Sequence, residues 1–289
     1  MANPSSKSRA EGRTVLVTGT SSGIGMMAAV ALAKAGWITV ATMRTLARSS
    51  GLEDAAAVAG VSLDIRELDV TDSVSISTAV EEIIASHGRL DALVNNAGAA
   101  SVGTIEQMDI EGYRAAMEVN YFGVVQLTKA ALPHLRETRG RVVTISSVGG
   151  AIGQPFNEAY CAAKFAVEGF MESLHPVAKT VGVDICIVEP GAVASEFVAN
   201  AGLDPEAMLS AAGPYAPALS AYLDRTLKQF DPSSAQSPGE VADKLVESLE
   251  ITEPVFRVQT SAWARDFVST KLVDLDGSRV TELTATWVN

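Results

Sequence analysis

Thr14-Val15-Leu16-Val17-Thr18 runs straight into Gly19-Thr20-Ser21-Ser22-Gly23-Ile24-Gly25, and the join between the two stretches decides the fold. The first is a short apolar run rich in β-branched residues, which reads as a strand. The second is a glycine-rich turn, and the pattern from Gly25 to Ala35 is helical. Backbone N–H groups at such a turn, together with the helix N-terminus behind it, form a cradle for a pyrophosphate. The spacing T-G-x-x-x-G-x-G differs from the G-x-G-x-x-G fingerprint, and tight strand–helix packing is the other reading of the same glycines.

Outward from this unit the alternation continues. Strands are predicted at Ile38–Thr42, Leu63–Asp69, Ala92–Asn95, Arg141–Ser146, Asp184–Glu189 and Val255–Val258. Helices are predicted near Leu52–Ala59, at Asp72–His87, as one long rod from about Asp109 to Arg136, and from about Asn157 to Thr180. Strands that are continuous apolar runs separated by helices indicate a parallel sheet covered on both faces, a doubly wound α/β fold. From Pro190 the pattern loosens into turns with amphipathic pieces at Pro205–Ala212 and Ala216–Gln229, an insertion over a site and not a second domain. Ser237-Pro238-Gly239-Glu240 has the form of a capping box opening a further helix.

The 289 residues, 47% hydrophobic and 19% charged, suit one large domain, expected over residues 13–289 behind a disordered polar tail at 1–12. A formal net charge of -12 repels nucleic-acid phosphates and anionic lipid surfaces, so neither is an expected partner. Cys161 and Cys186 are too few for a disulfide framework, and His87, His134 and His175 lie far apart, so no metal site is expected. Although the mean hydropathy is +0.20, charged residues interrupt every apolar stretch well before the roughly 18 residues of a membrane span. The polar start carries no secretory pattern, and a cytoplasmic setting is expected.

Tyr160-Cys161-Ala162-Ala163-Lys164 places a phenol and an ammonium four residues apart, on one face of a predicted helix. Ser147 stands thirteen residues upstream at the C-terminal end of a predicted strand, where ligands bind in open α/β sheets. Asn120 is a further polar group at a position otherwise expected to be core. With Asn95-Asn96-Ala97-Gly98 after the fourth strand and Pro190-Gly191-Ala192-Val193 after the sixth, the motifs from Thr18 to Ser195 follow in order the pattern of the short-chain dehydrogenase/reductase family, which this chain resembles. Ser146 to Gly150, Pro155 to Ala166 and the stretch Phe256 to Thr260 are most similar to the branch holding 17-beta-hydroxysteroid dehydrogenase type 1 and retinol dehydrogenase.

The resemblance implies a Rossmann-like doubly wound sheet with a helical substrate lid over about 192–236, and a hydride transfer between nicotinamide and a secondary alcohol or ketone. In that scheme Tyr160 moves a proton to or from the substrate oxygen, Ser147 holds that oxygen, Lys164 supports the phenolate and binds the cofactor ribose, and Asn120 anchors a water that resupplies the proton. A free tyrosine titrates near pH 10, and the expectation is that the lysine cation favours the phenolate. The cofactor is expected on Gly19, Ser21, Ser22, Gly23, Ile24, Gly25, Arg44, Asp69, Val70, Asn96, Ala97, Gly98, Tyr160, Lys164, Pro190, Gly191, Val193 and Ser195. Asp69 has a second reading as a helix cap. Two positions depart from the family pattern: Ala163 stands where serine is usual, and Ser195 where threonine is usual, the latter keeping its hydroxyl.

Between NADP(H) and NAD(H), the end of the second strand decides. Val40-Ala41-Thr42-Met43-Arg44 carries no carboxylate to repel a 2'-phosphate, and Arg44 stands where it can pair with one. A charge-assisted contact of about 1.5–3 kcal/mol gives roughly ten- to hundred-fold preference, so NADP(H) is expected and NAD(H) is the alternative. Phe197, Val198, Met208, Leu209, Tyr215, Leu219 and Tyr222 give the lid an apolar lining, which implies a lipophilic carbonyl or alcohol such as a hydroxysteroid or retinoid. No histidine follows His175, so Tyr222 and Arg225 are the candidates for the far end of such a substrate. A reductase of smaller xenobiotic or biosynthetic ketones and a non-catalytic dinucleotide sensor are the competing readings. By analogy a homodimer or homotetramer is expected.

Overall fold

All five residues of β1 (Thr14–Thr18) are buried, because β1 pairs in parallel with β2 (Ile38–Met43) on one side and with β4 (Ala92–Asn95) on the other. In the computed structural model, which describes residues 12–197, 202, 204–231, 233–278 and 282, seven parallel strands lie in the order β3-β2-β1-β4-β5-β6-β7. The remaining strands are β3 (Asp64–Glu67), β5 (Arg141–Ile145), β6 (Asp184–Glu189) and β7 (Arg257–Gln259). The order reverses between β1 and β4, which opens a crevice at their C-terminal ends. The tail at 1–11 and Val198 lie outside the described residues.

Helices cover both faces. On one face α1 (Gly23–Lys34) and α9 (Pro238–Glu250) pack Ala28, Leu32, Ala242 and Leu245 onto Val15, Val17, Val143 and Val188. On the other, α3 (Ser73–His87), α5 (Gly123–Thr138) and α6 (Glu158–Thr180) bring Ile83, Leu127, Leu135, Val167 and Met171 against Leu16, Leu93, Val142 and Ile185. The alternation of faces along each strand explains the division: neighbours such as Val15 and Leu16 point to opposite layers. The shorter helix α2 (Ser50–Ala59) packs Leu52 over the β2 edge.

The capping box of α9 is present, with Ser237 Oγ accepting from Glu240 N and the Glu240 carboxylate accepting from Ser237 N. The rod predicted from Asp109 to Arg136 is in fact α4 (Ile110–Met117), a π-helical turn at Glu118–Phe122, and α5. Asp69 caps no helix: its carboxylate folds back onto Thr71, while Asp72 caps α3 through Val74 N. The lid segment contains α7 (Pro205–Ala211) and α8 (Ala216–Gln229). Among the α-helices α10 (Ala262–Ser269) was not foreseen; it is started by Ser261 accepting from Ala264 N.

Candidate active site at the C-terminal edge of the sheet

The glycine turn follows β1 and enters α1. Gly19 has φ +69 and a Cβ there would lie 2.8 Å from Ala97 Cα; a Cβ on Gly25 would lie 2.2 Å from the Gly19 carbonyl oxygen. Only glycine permits the first conformation cheaply and the second approach at all. No side chain caps the N-terminus of α1 and no acidic residue stands in its first turn. Its N–H groups and dipole therefore suit an anion such as a pyrophosphate. Gly23 faces Ser195, whose Cβ would be 3.4 Å from an added Cβ.

The Asn-Asn-Ala-Gly segment after β4 fastens this turn. Asn96 Nδ2 donates to the Thr18 and Gly19 carbonyls at 2.8 and 3.1 Å, and Asn95 Nδ2 donates to Thr128 Oγ1 and Thr144 Oγ1 at 3.2 and 3.3 Å. The Asn96 carboxamide is thus taken up by the scaffold. Val70 is likewise core, buried where Gly123 passes so close that a Cβ would meet the Val70 carbonyl at 2.8 Å.

Asn120 is fully buried in the π-turn. Its Nδ2 donates to the Ala99 and Ala116 carbonyls, both at 3.0 Å, and its Oδ1 accepts from Ala99 N at 3.2 Å. Gly98 joins it to the lysine: a Cβ there would lie 3.0 Å from Asn120 Oδ1 and 3.8 Å from Lys164 Nζ. Lys164 Nζ donates to the Ile145 carbonyl at 2.9 Å and lies 5.8 Å from the Tyr160 ring centroid. Ser147 Oγ, just past the end of β5, accepts from Gly149 N at 3.0 Å and lies beside the Tyr160 phenol, whose titration it lowers. Asn120, Ser147, Tyr160 and Lys164 thus meet at the C-terminal edge of β4 and β5.

Burial dominates the electrostatics of this group. It pushes the Tyr160 phenol up to about 12, with Ser147 opposing. It pulls Lys164 down to about 8, with the Glu168 charge opposing. Desolvation of the ring outweighs any lowering of the phenol here, and the Lys164 ammonium is turned to the Ile145 carbonyl. As placed, Tyr160 is a neutral proton donor.

The lid residues divide. The Phe197 ring stands 6.0 Å from the Tyr160 ring, and the Tyr222 hydroxyl accepts from Asn157 Nδ2 while its ring lies 5.4 Å from Phe156. Phe156 itself is held at φ 61, a conformation that costs a bulky L-residue about 1–2 kcal/mol. Arg225 lines a cavity of about 650 Å³ with Ala192, Asp224, Lys228, Gln236 and Trp263. Leu219 is lid core, fully buried. Gln236 pins both ends of the lid, with backbone bonds to Ala192 and Ala194 and its side chain on the Thr260 carbonyl. Trp263 was missed from sequence; a Cβ on Gly191 would lie 2.8 Å from its ring, so it backs the Pro190-Gly191 turn. Arg44 is exposed at the end of β2 and makes no ion pair among the described residues. Asp69 lies in the turn after β3.

A doubly wound parallel sheet with a glycine turn at its switch point defines the Rossmann-like class. A family model described as short chain dehydrogenase matches residues 13–206. The chain is 38% identical to human retinol dehydrogenase 8 over 281 residues, 92% of this chain and 87% of that protein. It is 38% identical to mouse 17-beta-hydroxysteroid dehydrogenase type 1 over 250 residues, 84% of this chain and 72% of that protein. A solved short-chain dehydrogenase from Streptomyces avermitilis superposes with a TM-score of 0.76 at 29% identity, covering 98% of each chain. The chain belongs to the short-chain dehydrogenase family, a family of oxidoreductases that work with nicotinamide dinucleotides. Among the described residues no helix is long and apolar enough to cross a membrane.

Proposed function

We propose that this protein is an NADP(H)-dependent oxidoreductase interconverting a secondary alcohol and a ketone, or a retinoid-type alcohol and aldehyde, on a lipophilic substrate such as a 17-beta-hydroxysteroid. The observation that carries the reading is the placement of the buried Tyr160 phenol beside Ser147, faced by the Phe197 ring and backed by the buried Lys164. The names of the relatives, retinol and 17-beta-hydroxysteroid dehydrogenases, support a bulky apolar substrate.

The uncapped N-terminus of α1 and the bare glycine backbone fit a pyrophosphate, and the exposed Arg44 fits a 2'-phosphate. Bound NADP(H) supplies or takes the hydride. Ser147 holds the substrate oxygen against the phenol, and Tyr160 gives its proton to a carbonyl oxygen or accepts one from an alcohol. Lys164, as a cation, stabilises the phenolate when it forms and binds the ribose; Asn120 holds the proton-supplying water. Phe197 and the lid over about 192–236 exclude water from the transfer, and Tyr222 contacts the far end of the substrate. A homodimer or homotetramer in a cytoplasmic setting completes the reading.

Nicotinamide absorbance followed with NADP or NAD and estradiol, testosterone, retinol or small secondary alcohols, and with NADPH and the matching carbonyls, tests it. Turnover of a hydroxysteroid or retinoid with NADP is the expected result. Turnover of small ketones alone transfers the reading to a xenobiotic or biosynthetic reductase, and NADPH binding without any turnover to a sensor.

A further inference from the structure

One turn beyond Lys164 on α6, Glu168 enters a buried charge cluster that the proposed reaction does not use. Glu168 and Glu189 are both buried, Glu189 completely, at the end of β6 immediately before Pro190. Glu168 Oε1 and Glu189 Oε1 are both buried without a hydrogen-bond partner. Carboxylate oxygens only accept, so a bond between the two groups requires a proton on one of them. The surrounding donors decide which. Arg257, at the start of β7, directs both Nε and Nη2 to Glu168 Oε2, at 3.2 and 2.9 Å, and lies 3.3 Å from Glu172. Its Nε also stands 3.0 Å from Glu189 Oε1, yet that oxygen and Glu168 Oε1 receive no fixed hydrogen-bond donor. The fixed donor on the Glu189 carboxyl is the neutral Gln259 amide, 2.5 Å from Oε2.

We propose that Glu189 carries a buried proton that it donates to Glu168, and that Glu168, left as the carboxylate, is the positioning residue that keeps Lys164 cationic. The charges then balance: Arg257 holds Glu168 and Glu172, Lys164 stands one turn before Glu168 on α6, and Glu189 is neutral. Burial first, and the Glu168 charge second, raise the Glu189 carboxyl far above its ordinary range, while Arg257 opposes. Cys186, on the same strand, stays a neutral thiol because burial pushes it up to about 12. Glu168 in turn works against burial to raise Lys164. The consequence for catalysis rests on the role given to Lys164 above; the proton itself does not.

Proton release on urea unfolding at neutral pH tests the first half. The unfolded carboxyl titrates near 4.3, so the wild type should release about one proton more than Glu189→Gln. Because the native state holds a proton that the unfolded state lacks, wild-type stability falls as pH rises from about 5 to 8. The melting temperature of Glu189→Gln minus that of the wild type should therefore grow across that range. Equal proton release and a constant difference would overturn the proposal. If Glu189→Gln fails to fold, the infrared carbonyl stretch of a protonated carboxyl in the native wild type at neutral pH decides, and its absence overturns the proposal. For the second half, the Lys164 Cε resonance, assigned by its loss in Lys164→Gln, should titrate near pH 8 in the wild type and at lower pH in Glu168→Gln. An unmoved titration would remove Glu168 from that role, whether or not any substrate turns over.

Discussion

The hydroxyl of Thr18 accepts the backbone N–H of Asn96 at 3.0 Å, and the Asn96 carboxamide donates back to the Thr18 carbonyl at 2.8 Å. This reciprocal pair closes the gap between β1 and β4 where the strand order reverses. The same hydroxyl accepts from Ala97 N at 3.0 Å. In Thr18→Val the shape is kept, but both N–H groups lose their acceptor, at about 1–3 kcal/mol for each buried group. A lower denaturation midpoint with an unchanged slope in urea is the expected outcome, accompanied by weaker NADPH binding as the glycine turn loosens.

Gly25→Ala drives a methyl into the Gly19 carbonyl and the Asn96 amide, 2.2 and 2.4 Å away. Overpacking of this kind costs about 1–3 kcal/mol. Displacement of the turn should weaken NADPH binding by roughly tenfold or more, on the scale of 1.4 kcal/mol per decade. Fluorescence titration of bound NADPH measures it, and wild-type affinity would remove the turn from the cofactor site.

Tyr160→Phe removes the phenolic proton while keeping the ring beside Phe197. Turnover should fall by about 10²- to 10⁴-fold, the usual contribution of a positioned acid or base. An unchanged thermal melt shows that the loss is chemical. Near-normal turnover would reassign the proton transfer.

Arg44→Ala should cut the ratio of kcat/KM for NADP over NAD by roughly ten- to hundred-fold, as one charge-assisted phosphate contact is lost. The exposed position of Arg44 predicts no stability change, so the two effects separate in a melt beside the kinetics.

The pH profile should fall on the alkaline side as Lys164 loses its proton near pH 8. The sign follows from burial, which disfavours the ammonium: the cation is present below that pH and is lost above it, and with it the support for the phenolate. Substrate reduction measured from pH 6 to 10, with an unchanged profile in Arg44→Ala as control, checks the assignment.

β1, β4 and β6 coincide with the runs predicted at Thr14–Thr18, Ala92–Asn95 and Asp184–Glu189. Central parallel strands are buried on both faces, so their sequences are uninterrupted apolar runs. β3 is shorter than predicted, Asp64–Glu67, because a sheet-edge strand pairs on one side only and carries Arg66 bonded to Asp64. The π-turn was invisible: it carries the Asn120 carboxamide to the Ala99 backbone, a contact between segments apart in sequence. α10 was missed for a similar reason, since its Ala264 and Val268 are buried against Val148 and Ala151, while Trp263 and the residues around it carry no long apolar period.

Local order therefore established the glycine turn, the order of strands and helices, and the Tyr160–Lys164 spacing, because each depends on neighbours within a few residues. Folding alone decided the ionisation of the site. Sequence spacing put a cation beside a phenol, but burial and the Ile145 carbonyl leave Tyr160 neutral and Lys164 depressed. It also decided the company of Lys164. Glu168, Glu189 and Arg257 come from α6, β6 and β7, and their charges interact only because the sheet brings them together where water is excluded and electrostatic coupling is strong.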